Sequence, residues 1–205
     1  MLTQLFIQAG KDPSAIIGGK LPFIGSNGRA GKSDIMICEA CEYVDTFLKL
    51  SPAISIILNI DADHLEYFGS LENIIKSFHQ FANQTSKVLI VNGDDENVKK
   101  AIKDIQDVKI ITFGLGADND YSAANIKEEP NVFEDFTLMK QGTPLTDIRL
   151  SVPGKHNIMN ALAAAATADY FGISGNDIAK GLHDFTGVHR RFERLGTFHV
   201  AVNLS

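Results

Sequence analysis

The chain has 205 residues, of which 44% are hydrophobic and 21% charged, and 19 basic against 25 acidic side chains give a formal net charge of −6. This is the composition of a soluble globular domain and excludes collagen-like, low-complexity and disordered classes. No basic block is present to suit a nucleic-acid backbone, and no apolar run approaches the ~18 residues of a membrane span.

The first residues, Met1-Leu2-Thr3-Gln4-Leu5-Phe6, lack a charged leader and a long apolar core, so they do not read as a signal peptide, and a cytoplasmic location is expected. Leu2, Leu5 and Phe6 fit the tail of an amphipathic helix over 1–9, ended by Gly10. Ile16-Ile17 leads into a glycine-rich stretch from Gly18 to Gly31, read as a surface loop. Ile35 to Glu39 and Ile54 to Asn59 are short apolar runs of the kind found in strands buried on both faces. Leu71, Ile74, Ile75, Phe78 and Phe81 recur at helical spacing. Val88 to Val91 predicts a buried strand, Asp95 to Ile105 a helix and Val108 to Phe113 another strand.

Beyond Gly114 the pattern becomes Tyr121–Glu128, Val132–Met139 and Leu145–Val152, three strands with turns at Glu129-Pro130-Asn131 and Gln141-Gly142-Thr143. An alanine-rich helix over Asn157–Phe171 follows, ended by Gly172, and Ser174-Gly175-Asn176-Asp177 caps a last helix. Alternating strands and helices predict an α/β fold: three layers, a mostly parallel sheet with helices on both faces, plus a small antiparallel β section.

Cys38 and Cys41 are spaced C-x-x-C. A structural zinc site needs four ligands and no second pair exists, so Cys38 reads as a small hydrophobe inside a buried strand. Gly28-Arg29-Ala30-Gly31-Lys32-Ser33 resembles the end of a phosphate-binding loop, but Ser26 stands where that pattern needs glycine. A strand rather than a helix follows it, so the amides and dipole that hold phosphate are not expected there.

Polar residues at strand ends carry more chemistry, because ligands of open parallel sheets sit beyond the carboxyl ends of the strands. Glu39 ends one run, and Asn59-Ile60-Asp61-Ala62-Asp63-His64 ends the next. A carboxylate and an imidazole there can hold a divalent cation, or the aspartates can simply cap a turn. Asn157 and Asn160, three apart, share a helix face and suit a purine edge, although N-capping accounts equally for Asn157. Gly187-Val188-His189-Arg190-Arg191-Phe192 offers a guanidinium to a phosphate, or is a solvated basic loop.

Taken in order, Gly25-Ser26-Asn27, Glu39-Ala40-Cys41-Glu42-Tyr43, Phe47-Leu48, Asn59 through His64, Gly154-Lys155-His156-Asn157 with Asn160, and Gly187 through Phe192 resemble the central, ATP-binding domain of the Mur ligases. The resemblance is to the branch that joins L-alanine to UDP-N-acetylmuramate, and it runs from Met1 to about Gly196. It implies ATP and Mg2+ as cofactors. Glu39 and His64 become metal ligands, Asn157 and Asn160 face adenine and ribose, and Arg191 reaches the phosphates. The implied reaction is phosphorylation of the UDP-N-acetylmuramate carboxylate by ATP, followed by attack of the L-alanine amine on the acyl phosphate. Glu39, His64 and Arg191 are its expected catalytic residues.

The resemblance further implies a central domain over 1–194 and the start of a C-terminal domain over 195–205. The family's phosphate loop is expected before Met1, and the 205-residue chain alone is expected not to ligate. Cys41 stands where many members carry Asp. A non-catalytic nucleotide-binding module, or a ligase of the same fold acting on another peptide or a folate-like acid, are the alternatives. No nucleic acid or membrane partner is expected.

Overall fold

A computed structural model describes residues 1–127 and 134–188. Helix α1 (Leu2–Gln8) opens the chain and buries Leu5 and Phe6. Three strands then form a small sheet: β1 (Ser14–Leu21), β2 (Ser26–Arg29) and β3 (Met36–Cys38), in the order β2-β1-β3. The glycine-rich stretch is therefore not a surface loop. It is an antiparallel β1/β2 pair closed by a 3₁₀ turn at Pro22–Ile24, with Gly25 at φ 63°. Glycine lowers strand propensity, so its composition masked the pairing.

The remaining strands are β4 (Ile54–Ile57), β5 (Val88–Asn92), β6 (Lys109–Gly114), β7 (Tyr121–Lys127), β8 (Asp135–Lys140) and β9 (Thr143–Arg149), which lie side by side in chain order in one six-stranded sheet. The pairings from β4 to β7 are parallel and those from β7 to β9 antiparallel. The expected antiparallel section is thus a continuation of the parallel sheet, joined where Phe113 and Gly114 pair with Tyr121 and Ser122. Gln141 and Gly142, at φ 48° and 75°, make the tight β8–β9 turn. The turn expected at Glu129-Pro130-Asn131 lies outside the described residues.

Helices cover both faces. On one side are α2 (Leu65–Phe68), α3 (Leu71–Asn83) and α4 (Glu96–Ala101), and on the other α1, α5 (Lys155–Tyr170) and α6 (Gly175–His183). Strand β5 shows why its residues are apolar throughout. Val88 and Ile90 pack with the alanines of α5, while Leu89 and Val91 pack with Ile74, Ala82 and Val98 on the opposite face. Ala161, Ala163, Ala164, Ala165 and Ala166 are all buried, and these small side chains let α5 lie close to the sheet. Its far end is tied down at Asp169, which accepts hydrogen bonds from the Tyr121 hydroxyl at 2.5 Å and from Lys140 Nζ at 2.6 Å.

The two runs expected to be buried on both faces fare differently, and each is an end strand, β3 of the small sheet and β4 of the large one. β4 is packed on both faces, with Ile57 in one apolar cluster and Ile54 and Ile56 against the other. In and just before β3, Ile37 and Ile35 pack partly against the core whereas Met36 (52% exposed) and Cys38 face out. Cys38 is therefore not a buried hydrophobe, and both cysteines are free and exposed. A run of apolar residues does not by itself distinguish a central strand from an end strand.

Candidate functional site

The parallel half of the large sheet delivers the carboxyl ends of β4, β5 and β6 to one rim. After β4 the chain runs through Leu58, Asn59 and the buried Ile60. Asn92, the last residue of β5, and Asn97 of α4 hold this exit: their side-chain amides donate to the carbonyls of Leu58 and Ile60, each at 2.9 Å. Asp61 and Asp63 then form the turn that leads into α2, whose N-cap position belongs to His64. The Asp63 amide donates to the Asp61 carbonyl at 2.9 Å, and the His64 amide to Asp63 Oδ1 at 2.8 Å. His64 itself is left-handed, with φ 52°.

His64 is where the acidic groups gather. Its Nε2 lies 3.6 Å from Glu42 Oε1 and its Nδ1 3.4 Å from Glu66 Oε1, with the imidazole about one third exposed. The Tyr43 ring lies against it at 4.7 Å between centroids. Among the described residues, ligand atoms of Glu42, Asp63 and His64 all fall within 4.8 Å of one another. Two carboxylate oxygens and one imidazole nitrogen fit a hard divalent cation that keeps several of its waters.

Glu42 reaches His64 through an unusual turn. Val44 (φ 54°, ψ 35°) and Asp45 (φ 53°, ψ 29°) are both left-handed inside the 3₁₀ segment Tyr43–Lys49. For an L-residue that conformation costs roughly 1–2 kcal/mol, and β-branched Val44 adopts it with difficulty.

Glu39 sits elsewhere. Its amide continues the β1/β3 ladder by donating to Ile16 O at 2.9 Å, and its Oε2 accepts from the Gly18 amide at 2.7 Å. A Cβ on Gly18 would lie 2.4 Å from Glu39 Oε1, so glycine is what admits the carboxylate there. Glu39 does not belong to the group around His64.

Asn157 and Asn160 are brought together on the first turns of α5. Asn160 Nδ2 donates to Asn157 Oδ1 at 3.3 Å, and Asn157 Nδ2 donates to Pro153 O at 2.8 Å. The N-cap position belongs to Gly154, so Asn157 is not the cap. Asn157 is buried, which leaves the half-buried Asn160 as the more accessible amide of the pair. Arg191 lies outside the described residues. Val188, three residues earlier, packs on Gly19, where an added Cβ would lie 3.4 Å from a Val188 methyl.

The segment Gly28–Ser33 is occupied by protein rather than shaped for phosphate. The Gly31 amide donates to Ser14 Oγ at 3.0 Å and the Lys32 amide to Asp12 Oδ2 at 3.0 Å, while Arg29 pairs with the other Asp12 oxygen. The Lys32 amide, with Arg29 beside it, holds the Asp12 carboxyl below its ordinary value.

Several residues at the rim escaped the sequence reading. Asp94, after β5, accepts from the amides of Leu115 (2.5 Å) and Gly116 (3.1 Å) and from Asn119 Nδ2 (2.8 Å), which ties the β5 exit to the β6 exit. The signal was present, since Asn92-Gly93-Asp94-Asp95 follows a buried strand as Asn59 through His64 does. Asp45, which accepts from Tyr67 and Ser77, carried no such signal.

The sequence profile of the Mur ligase middle domain matches residues 20–168. The UDP-N-acetylmuramate–L-alanine ligase of Acetivibrio thermocellus is 42% identical over 199 residues, covering 96% of this chain and 42% of the relative. The same-named enzyme of Clostridium tetani is 41% identical over 198 residues, covering 96% of this chain and 43% of the relative. The chain therefore spans less than half the length of these relatives. Among solved structures, UDP-N-acetylmuramate-alanine ligase from Thermotoga maritima superposes with a TM-score of 0.79 at 27% identity, over 93% of this chain and 42% of that one. Fold and sequence agree: the chain belongs to the Mur ligase family, and what it matches is the family's middle domain.

Proposed function

We propose that this chain is the nucleotide- and metal-handling part of an ATP-dependent ligase that joins L-alanine to UDP-N-acetylmuramate. The observation that carries the reading is the convergence of Glu42, Asp63 and His64 beyond the carboxyl ends of the parallel strands. In such a reaction the carboxylate of UDP-N-acetylmuramate attacks the terminal phosphorus of ATP, and ADP leaves. The alanine amine then attacks the acyl carbon, the tetrahedral adduct expels phosphate, and an amide remains. Both steps build negative charge on oxygen, so positioning and electrostatic stabilisation supply most of the catalysis.

Bound Mg2+ would neutralise phosphate charge at this rim. His64 presents Nε2 toward the carboxylates, and Glu66 beside Nδ1 favours the tautomer with its proton on Nδ1, leaving the Nε2 lone pair for a metal. Glu42 and Asp63 supply carboxylate oxygens next to it. Glu39, held by the Gly18 amide through Oε2 and apart from the group around His64, is carried as a second metal carboxylate from the family resemblance. Asn160, oriented by Asn157, offers an amide to the adenine and ribose region. Arg191 is assigned to the phosphates from its sequence position. No helix among the described residues is long and apolar enough to cross a membrane, in keeping with a cytoplasmic location.

Mn2+ titration of the 205-residue chain, followed by electron paramagnetic resonance, tests the site. Wild type is expected to bind, and His64→Ala to lose about tenfold or more in affinity, the scale of metal-site disruption. Comparing Glu39→Gln with Glu42→Gln tells which carboxylate contributes more. Equal affinity in wild type and His64→Ala, or no binding by wild type, refutes the metal site.

A further inference from the structure

The contact between Glu42 and His64 depends on a turn that Val44 disfavours, and the turn is fastened from outside as well as by its own bonds. Asp45 is the point of attachment. Its Oδ2 accepts from the Tyr67 hydroxyl at 2.8 Å, and its Oδ1 accepts from the Ser77 hydroxyl. Tyr67 belongs to α2, the helix that begins directly after His64, and Ser77 is a buried residue of α3.

These links close a circuit. The Asp45 amide donates to the Glu42 carbonyl at 3.0 Å, and the Asp45 carboxylate is fastened to Tyr67. The Tyr67 amide donates to the His64 carbonyl at 2.9 Å, and the His64 imidazole meets the Glu42 carboxylate. The aromatic rings follow the same path, with Tyr43 lying 4.7 Å from His64 and 6.3 Å from Tyr67 between centroids. Phe47, stacked on Phe81 at 4.7 Å, anchors the far end of the segment on α3. The near end, where the left-handed residues are, has its own bonds, from the Thr46 hydroxyl to Tyr43 O at 2.7 Å and from the Phe47 amide to Cys41 O at 2.8 Å, and the Asp45 carboxylate ties it to α2 and α3 through Tyr67 and Ser77.

We propose that Asp45, fastened by Tyr67 and Ser77, is a positioning residue that sets Glu42 and Tyr43 against His64. For its consequence on metal affinity this rests on the site reading above, but the placement itself does not. Tyr67→Phe keeps the ring and removes one fastening. Asp45→Ala removes both. Val44→Gly removes the steric objection to the left-handed turn and so makes the fastening less necessary.

The test combines nuclear Overhauser contacts between the Tyr43 and His64 rings with melting temperature and Mn2+ affinity. Wild type is expected to show the ring contacts. Tyr67→Phe is expected to lose most of them and about fivefold in Mn2+ affinity, with little change in melting temperature. Adding Val44→Gly to Tyr67→Phe is expected to restore part of both, which a general stabilising role of Tyr67 would not produce. Absence of the ring contacts in wild type overturns the proposal, as does their full retention in Tyr67→Phe and Asp45→Ala. Should Asp45→Ala fail to fold, Tyr67→Phe decides alone. Loss of contacts in Tyr67→Phe, in a wild type that binds no Mn2+, supports the positioning role and discards the metal.

Discussion

Replacing Gly31 by alanine tests whether the glycine-rich stretch is packed structure. The Gly31 backbone does not have a positive φ, so alanine meets no conformational objection. The objection is space. The new Cβ would lie 2.1 Å from Asp12 O, 2.4 Å from Pro13 C and 2.5 Å from Pro13 O, all backbone atoms, where ordinary contact begins at 3.4 Å. Relief therefore requires the two segments to separate by about 1 Å. That separation strains the bonds that Asp12 O accepts from the Ser33 amide (3.2 Å) and hydroxyl (3.0 Å), and the Gly31–Ser14 bond at 3.0 Å. Overpacking of this kind costs about 1–3 kcal/mol. At ~2–4 °C per kcal/mol for a chain of this size, a cost near ~2 kcal/mol lowers the melting temperature by about 4–8 °C. Gly28 is the internal control, because its added Cβ would meet only Ala15 O, at 3.5 Å. Gly28→Ala should be neutral or raise stability by up to ~1 kcal/mol through the unfolded state. Circular dichroism melts of the two variants read the difference. A Gly31→Ala protein that melts with wild type, or a Gly28→Ala protein equally damaged, refutes the packing argument.

Burial, and then the Asp169 carboxylate, push the Tyr121 phenol above its ordinary value of 10.0. The unfolded chain then loses that proton first, so the stabilisation is complete below pH ~10 and declines as pH rises toward the folded value. The melting-temperature gap between wild type and Tyr121→Phe should narrow above pH ~10, and a constant gap contradicts the assignment. Ser174 caps α6, accepting from the Asp177 amide at 3.2 Å and donating to Asp177 Oδ2 at 2.6 Å. Ser174→Ala should cost ~1 kcal/mol in a denaturant titration.

The helices and inner strands were legible because each writes its environment into a period. Leu71, Ile74, Phe78 and Phe81 mark one buried helix face, and Val88 to Val91 mark a strand enclosed on both sides. The Ser174 cap and the Gln141-Gly142 turn were equally plain, because each needs particular residue types. The partition into two sheets was not legible. Ile35-Met36-Ile37-Cys38 has the composition of an interior strand, yet its position at a sheet end is decided by which strands lie beside it. The candidate site divides in the same way. Strand-end logic pointed to the rim and to His64, and the described residues place acids around that imidazole. Which acids arrive there depends on two left-handed residues, Val44 and Asp45, and hydrophobic spacing carries no trace of such a turn.

The end strands β3 and β4 bear on how the protein behaves at high concentration. Each leaves one flank of peptide groups without a neighbouring strand in its sheet, the kind of flank on which another chain can pair. Both are brief, three residues in β3 and four in β4, so a visiting strand gains few ladder bonds. At the opposite end of the large sheet, α6 crosses β9: the Ser151 hydroxyl donates to His183 O at 2.6 Å, and the Gly175 position lies against Leu145 O. Self-templated aggregation is thus resisted by brevity at one end of that sheet and by a covering helix at the other.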